Sequence, residues 1–427
     1  MTAARERTAP HGPGGPDAGS DPDGPRDPDG PRDPDGPGAR PDDAAGESVR
    51  WTSPSAVPES QRQAFDELLP YCVPPGGHRC EHTDLATVVH YRPTAGWPAA
   101  RAEDLLAAAH ARTARRQGAP RARFEQVATP VPTRPAPAGH RRVGTGLEVG
   151  PGASARLLRA LDTVLLDLAL DSGADEYTAP HLVDWSTVER AGYTRSFPQN
   201  LLAAAEVGPD LAALDRFAAA PDRAARRAEL VPGGAVLAPA VCLHLFAALA
   251  DRPLPAPVRA TARAGCARRE LPSAVSATRL TAFTMREIVY VGDAAGARAF
   301  RDDMLERLES LARSVGLPCR LETANDPFFT PDRVDYLAFQ SAYEVKHELR
   351  ARLPHGAPDV AVASVNLHQQ HFGTGFGIDG PDGAAYSACI GFGLERWAHW
   401  IRAHTGDDPA DWPAPLREAA AARREPA

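Results

Sequence analysis

The sequence predicts an α+β fold, an antiparallel sheet flanked by helices. Three observations predict it. Cys266–Asp293 reads as strand, loop, strand, closing on the apolar run Ile288-Val289-Tyr290-Val291. Further strand-like segments follow across short turns: Tyr343–Leu349, the AVASVN run within Asp359–Gly373, and Tyr386–Ile390. Helical periodicity is confined to a few segments that do not alternate regularly with the strands, which argues against a βαβ repeat.

Composition narrows the functional classes. A chain of 427 residues holds one large domain or two modest ones. Its net charge of −8 argues against bulk binding along a nucleic-acid backbone, although a small nucleotide or a tRNA end remains compatible with local patches. No apolar run approaches the roughly 18 residues of a membrane span, and the N-terminus lacks the apolar core of a signal peptide, so a cytoplasmic protein is expected. The six cysteines make no disulfide framework in a chain this long; they are free thiols or metal ligands.

In chain order, residues 1–55 are a low-complexity tail. DPDGPR occurs at Asp21–Arg26 and Asp27–Arg32 and is truncated at Asp33–Pro37. Such a Pro-, Asp- and Gly-rich period buries no core and is expected to be disordered. Residues 56–140 form a less defined helical region and linker. Gln61–Leu69 and Ala99–Gln117 have helical patterns, and Pro130–Gly139 reads as the linker. The intervening YCVPPGGHRCEH reads as a polar loop; Cys72, His78, Cys80 and His82 are also possible zinc ligands, at a spacing that matches no compact zinc finger.

From Gly150 the composition is that of a folded domain, expected over 141–412, with 413–427 as a C-terminal tail. Leu158, Leu161, Val164, Leu165 and Leu168 line one face of a helix over Ala155–Leu170. Ala179-Pro180 demotes Glu176–Val183 to an edge or interface strand, and Glu189–Pro198 reads as a loop. Asp293 is an N-cap candidate for a helix that buries Ala297, Phe300, Met304, Leu308, Leu311 and Val315 and ends at Gly316. Asn325–Phe329 reads as a turn. Glu344, Lys346 and Glu348 share one face of a strand, and Glu395–His404 is a helix.

Chemistry gathers around the predicted hairpin. Arg268 and Glu270, two apart, are expected on one strand face, where an arginine fork suits a phosphate and a carboxylate offers acceptors. Phe283 offers a flat surface for a base. An ordinary Arg-x-Glu ion pair explains the same residues.

Three blocks carry a family resemblance. Gly265–Glu270 with Phe283–Glu287 resembles motif 2 of class II aminoacyl-tRNA synthetases, GFGLER at Gly391–Arg396 resembles motif 3, and Thr178-Ala179-Pro180 has the proline of a weak motif 1. More narrowly, TRLTAFTMREIVYVG, ASVNLHQQHFG, SACIGFGLERW, GYTRSFPQ and NDPFF are similar to the amino acid:[carrier protein] ligases, truncated relatives of the zinc-dependent seryl-tRNA synthetases. The resemblance spans about Ala155–His404.

It implies ATP-dependent activation of a small amino acid (glycine, alanine or serine) as an aminoacyl-adenylate, then transfer to the phosphopantetheine thiol of a carrier protein, by a homodimer. It implies zinc held by Cys242, Glu287 and Cys389, with a position left for the amino group. Both cysteines are equally at home as small core residues. It assigns Arg268 to the α-phosphate, Glu270 and Phe283 to adenine, and Arg396 to the γ-phosphate. Arg279 joins them at the nucleotide. Glu348 and Ser364, with Asn366 beside them, match positions that hold magnesium or phosphate; a solvated charged strand face is the plainer account of Glu348 and Lys346. His368 and His371 are read as hydrogen-bonding or substrate-pocket residues. The chain departs from the family at Ala267, Arg269 and Leu271-Pro272, in the stretch that contacts the acceptor. The alternatives are a seryl-type aminoacyl-tRNA synthetase, which would need a basic tRNA-binding arm, and a catalytically inactive synthetase paralogue. Nothing before residue 140 has the pattern of such an arm, so tRNA is not the expected acceptor.

Overall fold

The computed structural model describes residues 48–75, 77–114, 120–127, 139–325 and 345–422. Its centre is an eight-stranded sheet. In spatial order the strands are Ala122–Gln126, Cys319–Thr323, Lys346–Ala351, Val360–Gln369, Tyr386–Gly393, Ala282–Gly292, Val258–Ala267 and Asp175–Thr178. Every pairing is antiparallel except the last, where Asp175–Thr178 runs parallel to Val258–Ala267.

Alternation along the strands divides the sheet into two faces. Ile288, Tyr290, Ile390, Phe392, Val365, Leu349 and Leu321 point to one side and join the largest core. Three helices cover that side: Gly152–Asp171, Ala294–Val315 and Leu394–Thr405. Each was legible. Asp293 accepts from the Gly296 amide at 2.8 Å, satisfying a free helix N–H, and Gly316 closes the helix at φ 74°, where a side chain would be strained. Trp397 and Trp400 bury completely from the last of the three, each worth about 1.5–3 kcal/mol or more on the scale of a large apolar side chain.

The opposite face carries polar side chains in rows. Glu287 stands opposite Gly391, Gly391 opposite Ser364, and Ser364 opposite Glu348. One step along, Val289, Cys389, Asn366 and Lys346 form a second row.

Several sequence expectations are corrected. Structure is present before residue 56, since Val49–Thr52 pairs with Thr87–Tyr91. The region expected as helical contains the helices Glu59–Leu68 and Ala99–Thr113, but they pack on a three-stranded sheet around their own core of Phe65, Leu69, Val89 and Leu106. YCVPPGGHRCEH is not wholly loop: His78–His82 is a strand, because its alternation matches the TVVHY strand beside it. The expected tail after 412 includes the helix Ala414–Ala422, whose Leu416 is buried in the main core. Glu176–Val183 is two strands in two sheets, broken at Ala179-Pro180, although each lies at the edge of its sheet, as the proline predicts. Glu189–Pro198 contains short helices, not loop alone. The repeats before residue 48, most of Pro130–Gly139, Asp326–Phe329 and Glu344 lie outside the described residues.

Candidate active site

The hairpin is Val258–Ala267 paired with Ala282–Gly292. The first strand ends at Ala267, so Arg268 and Glu270 belong to the connecting loop, which corrects the shared strand face expected from their spacing. The ion pair of Glu270 runs to Arg279, at 2.6 Å, instead of to Arg268.

Arg268 is released to face the sheet. Its Nε donates to the Pro239 carbonyl at 3.0 Å, and its guanidinium lies 5.5 Å from the centre of the Phe283 ring. Burial works to lower its pKa, but Tyr193, Cys266, Glu287 and Glu270 outweigh that and hold it above the usual arginine value. Arg396, on the first turn after the Gly391-Phe392-Gly393 strand end, donates to the Thr278 carbonyl at 2.8 Å and the Ala361 carbonyl at 3.0 Å. Its pKa is pushed down by burial and by the like charges of Arg268 and Arg279, against the pull of Glu348 and Glu270. Carbonyl groups therefore position both forks, and each guanidinium keeps its charge in reach of the other.

Glu348 and Lys346 are not a solvated strand face. Their side chains are only 15% and 9% exposed, and Glu348 is bracketed by Lys346 at 3.4 Å and Arg350 at 3.1 Å. Ser364 donates to the Asn366 side-chain carbonyl at 3.2 Å. Glu348, Lys346, Ser364 and Asn366 lie on the sheet face away from the main core, and Arg396 interacts electrostatically with Glu348 and Arg268.

Cys242, Glu287 and Cys389 meet at the inner end of that face, all buried. Cys242 begins the helix Cys242–Ala248, and its backbone N–H donates to Glu287 Oε2 at 2.5 Å. The Cys389 sulfur lies 4.0 Å from Glu287 Oε1, 3.4 Å from His368 Nε2 and 3.7 Å from Asn366 Nδ2. Burial pushes the Glu287 carboxyl up to about 7, and the Cys389 thiol adds to the rise. The Cys389 thiol is held well below its usual value, first by a hydrogen bond from Cys242 and further by His368; the same bond, burial and Glu287 push Cys242 well above. Gly391 leaves room here: a β-carbon would sit 3.2 Å from Glu287 Oε1, a tight contact.

Two thiols and a carboxylate buried side by side repel once ionised, and a divalent cation is the group that reverses this. The donor chemistry fits zinc. The set is looser than a closed site. Among the described residues, the trio whose ligand atoms all lie within 4.8 Å of one another is a different one, Asp66, Cys80 and His82.

Of the two histidines, His368 faces the site, held by Ser387 at 3.1 Å and edge-on to Phe246 and Phe372. His371 is structural, with its Nε2 2.9 Å from the Ala191 carbonyl. Sequence reasoning passed over Pro239 and Asn200. The Pro239 carbonyl orients Arg268, and the Asn200 carbonyl accepts from the Arg269 amide at 2.9 Å. Both act through the backbone, which leaves no residue-type signal.

The fold is that of the class II aminoacyl-tRNA synthetases. Among solved structures, M. kandleri SerRS in complex with A. aeolicus tRNASec aligns with a TM-score of 0.64 at 20% identity, over 83% of this chain and 75% of that one. No protein-family model matches the chain. The chain is 36% identical over 247 residues to amino acid–[acyl-carrier-protein] ligase 2 of Bradyrhizobium diazoefficiens, 56% of this chain and 72% of the relative. It is 29% identical over 282 residues to the type-2 serine–tRNA ligase of Methanococcus aeolicus, and spans 53% of that protein. The chain belongs to the amino acid–[acyl-carrier-protein] ligase family, and is a ligase.

Proposed function

We propose that the chain activates a small amino acid (glycine, alanine or serine) with ATP and transfers it to the phosphopantetheine thiol of a carrier protein. The observation that carries the reading is the pair Arg268 and Arg396, two guanidinium forks oriented by backbone carbonyls and near enough to feel each other's charge. Residues 141–422 form the catalytic region in this proposal.

In the first step a carboxylate oxygen of the amino acid attacks the α-phosphorus and pyrophosphate leaves. This needs alignment and charge stabilisation more than a general base. Arg268 stabilises charge at the α-phosphate and Arg396 holds the γ-phosphate end. Phe283 offers its ring to adenine, with Glu270 and Arg279 at the base's edge. Glu348 and Ser364, with Asn366, would hold magnesium or phosphate, and their oxygens suit a hard cation. In the second step the carrier's sulfur attacks the acyl carbon and AMP leaves.

Cys242, Glu287 and Cys389 would hold zinc. When bound, the metal supplies an open coordination position for a free α-amino group, which selects an amino acid over a plain carboxylic acid. The His368 ring and the Asn366 amide orient the Cys389 sulfur.

A homodimer is part of the proposal. Tyr177, Leu182 and Trp185, 46%, 47% and 37% exposed, cluster on the segment that resembles the dimerisation motif. Cytoplasmic residence is also proposed; no helix among the described residues is long and apolar enough to cross a membrane.

The test is ATP–pyrophosphate exchange across the twenty amino acids. It is followed by incubation of enzyme, ATP and labelled amino acid with holo-carrier, apo-carrier or bulk tRNA. Label on holo-carrier alone is expected. Label on tRNA and on no holo-carrier would transfer the reading to the seryl-type synthetase, and exchange with no amino acid would point to an inactive paralogue.

A further inference from the structure

The N-terminal hairpin carries chemistry that the catalytic reading leaves unused. His78, Cys80 and His82 alternate along one strand and so share a face. The helix Glu59–Leu68 lays Asp66 over that face. His82 Nε2 lies 2.9 Å from Asp66 Oδ1, and the Cys80 sulfur lies 3.6 Å from the same nitrogen. One ligand atom from each of the three falls within 4.8 Å of the others. The second ring nitrogen, His82 Nδ1, is 2.9 Å from the hydroxyl of buried Thr87, and Phe65 packs edge-on to the ring.

We propose that Asp66, Cys80 and His82 bind one divalent transition-metal ion of the zinc class, separate from the catalytic set, as a staple of the N-terminal unit. Sulfur, imidazole nitrogen and carboxylate oxygen together are a zinc-type donor set. A hydroxyl on the far ring nitrogen fixes which nitrogen faces the metal, as metal-ligating histidines ordinarily require. A surface ion pair needs only His82 and Asp66; the Cys80 thiol, hydrogen-bonded to both, adds the sulfur donor that a zinc-class ion prefers. The His82 side chain is 13% exposed and that of Asp66 49%, so the site opens to solvent on one side. The fourth position goes to water or to His78, two residues earlier on the same face. Cys72 does not take part, since its sulfur donates to the Leu105 carbonyl at 3.5 Å. The bond would tie helix to strand in a unit with a small core, the circumstance in which a metal contributes most.

The test is zinc content of the full chain, wild type against Cys80→Ser, His82→Ala, Asp66→Asn and Cys242→Ala. Cys80→Ser and His82→Ala should each hold one equivalent less than wild type. Cys242→Ala should keep the equivalent that Cys80→Ser loses, whether or not the catalytic set binds metal. Asp66→Asn, on an exposed helix position, keeps the fold and should lose zinc to a weaker chelator than wild type needs. Cobalt-loaded Cys242→Ala/Cys389→Ala should retain a thiolate-to-cobalt absorption band that vanishes when Cys80→Ser is added. Equal zinc content in wild type, Cys80→Ser and His82→Ala, with no such band, overturns the site. Zinc removal that leaves the melting temperature unchanged overturns the staple.

Discussion

The Glu287 carboxylate accepts a 2.5 Å hydrogen bond from the backbone N–H of Cys242, 45 residues earlier in the chain. This bond joins the start of a helix to the middle of the central sheet, and it brings two proposed metal ligands together before any metal arrives.

Cys242→Ala or Cys389→Ala should remove about one zinc per chain and abolish amino acid activation. Metal analysis and pyrophosphate exchange on the same preparations check both. Full zinc content in both variants would remove these residues from the metal site.

Glu287 gives a pH dependence with a definite sign. Its carboxyl sits at about 7 in the folded protein against 4.5 unfolded. A raised value contributes stability that is fully present below the unfolded value and is lost as pH rises through 7. The shift corresponds to about 3 kcal/mol in the metal-free protein. The melting temperature of metal-free wild type, measured relative to Glu287→Gln, should therefore fall between pH 5 and 7.5. Zinc reverses the trend, because the metal binds the ionised carboxylate and competes with protons. A flat difference between the two proteins without metal would count against the burial argument.

Arg268→Ala should lower the rate of pyrophosphate exchange by about 10²–10³-fold, as loss of an oriented charge donor does. The effect should fall on kcat more than on KM for ATP. Arg268→Lys should recover only part of the rate, since an ammonium lacks the planar fork that the Pro239 carbonyl and the Phe283 ring orient. Arg396→Ala should behave similarly. Exchange at the wild-type rate in Arg268→Ala would end its proposed role.

Arg286 tests the scaffold apart from the site. It sits on the core side of the strand that carries Glu287, 2% exposed, paired with Asp162 at 2.7 Å and Glu176 at 3.2 Å. Arg286→Ala leaves the mostly buried Asp162 without its closest cation and should cost about 3–5 kcal/mol. Arg286→Met with Asp162→Leu should recover much of that, because well-packed apolar groups replace a buried pair at little cost. Denaturant unfolding of the single and double variants measures both.

The helix Ala294–Val315 was readable because its signals are local: a capping aspartate, an apolar stripe at helical spacing and a terminal glycine. The hairpin and the strand after Tyr386 were readable for the same reason, and motif order was enough to identify the synthetase-like class. His78–His82 was misread because its alternation shows only against the strand it pairs with, and Ala414–Ala422 because its burial comes from a helix some 250 residues away. The partners within the site were illegible on the same ground. Arg268, Glu270 and Arg279 are close in sequence, yet only the turn of the loop pairs Glu270 with Arg279 and leaves Arg268 facing the sheet. Residue types along the chain were sufficient to name the groups capable of the chemistry. Which of them are neutralised and which stay available was decided by backbone carbonyls and cross-strand register, and these exist only once distant segments are packed together.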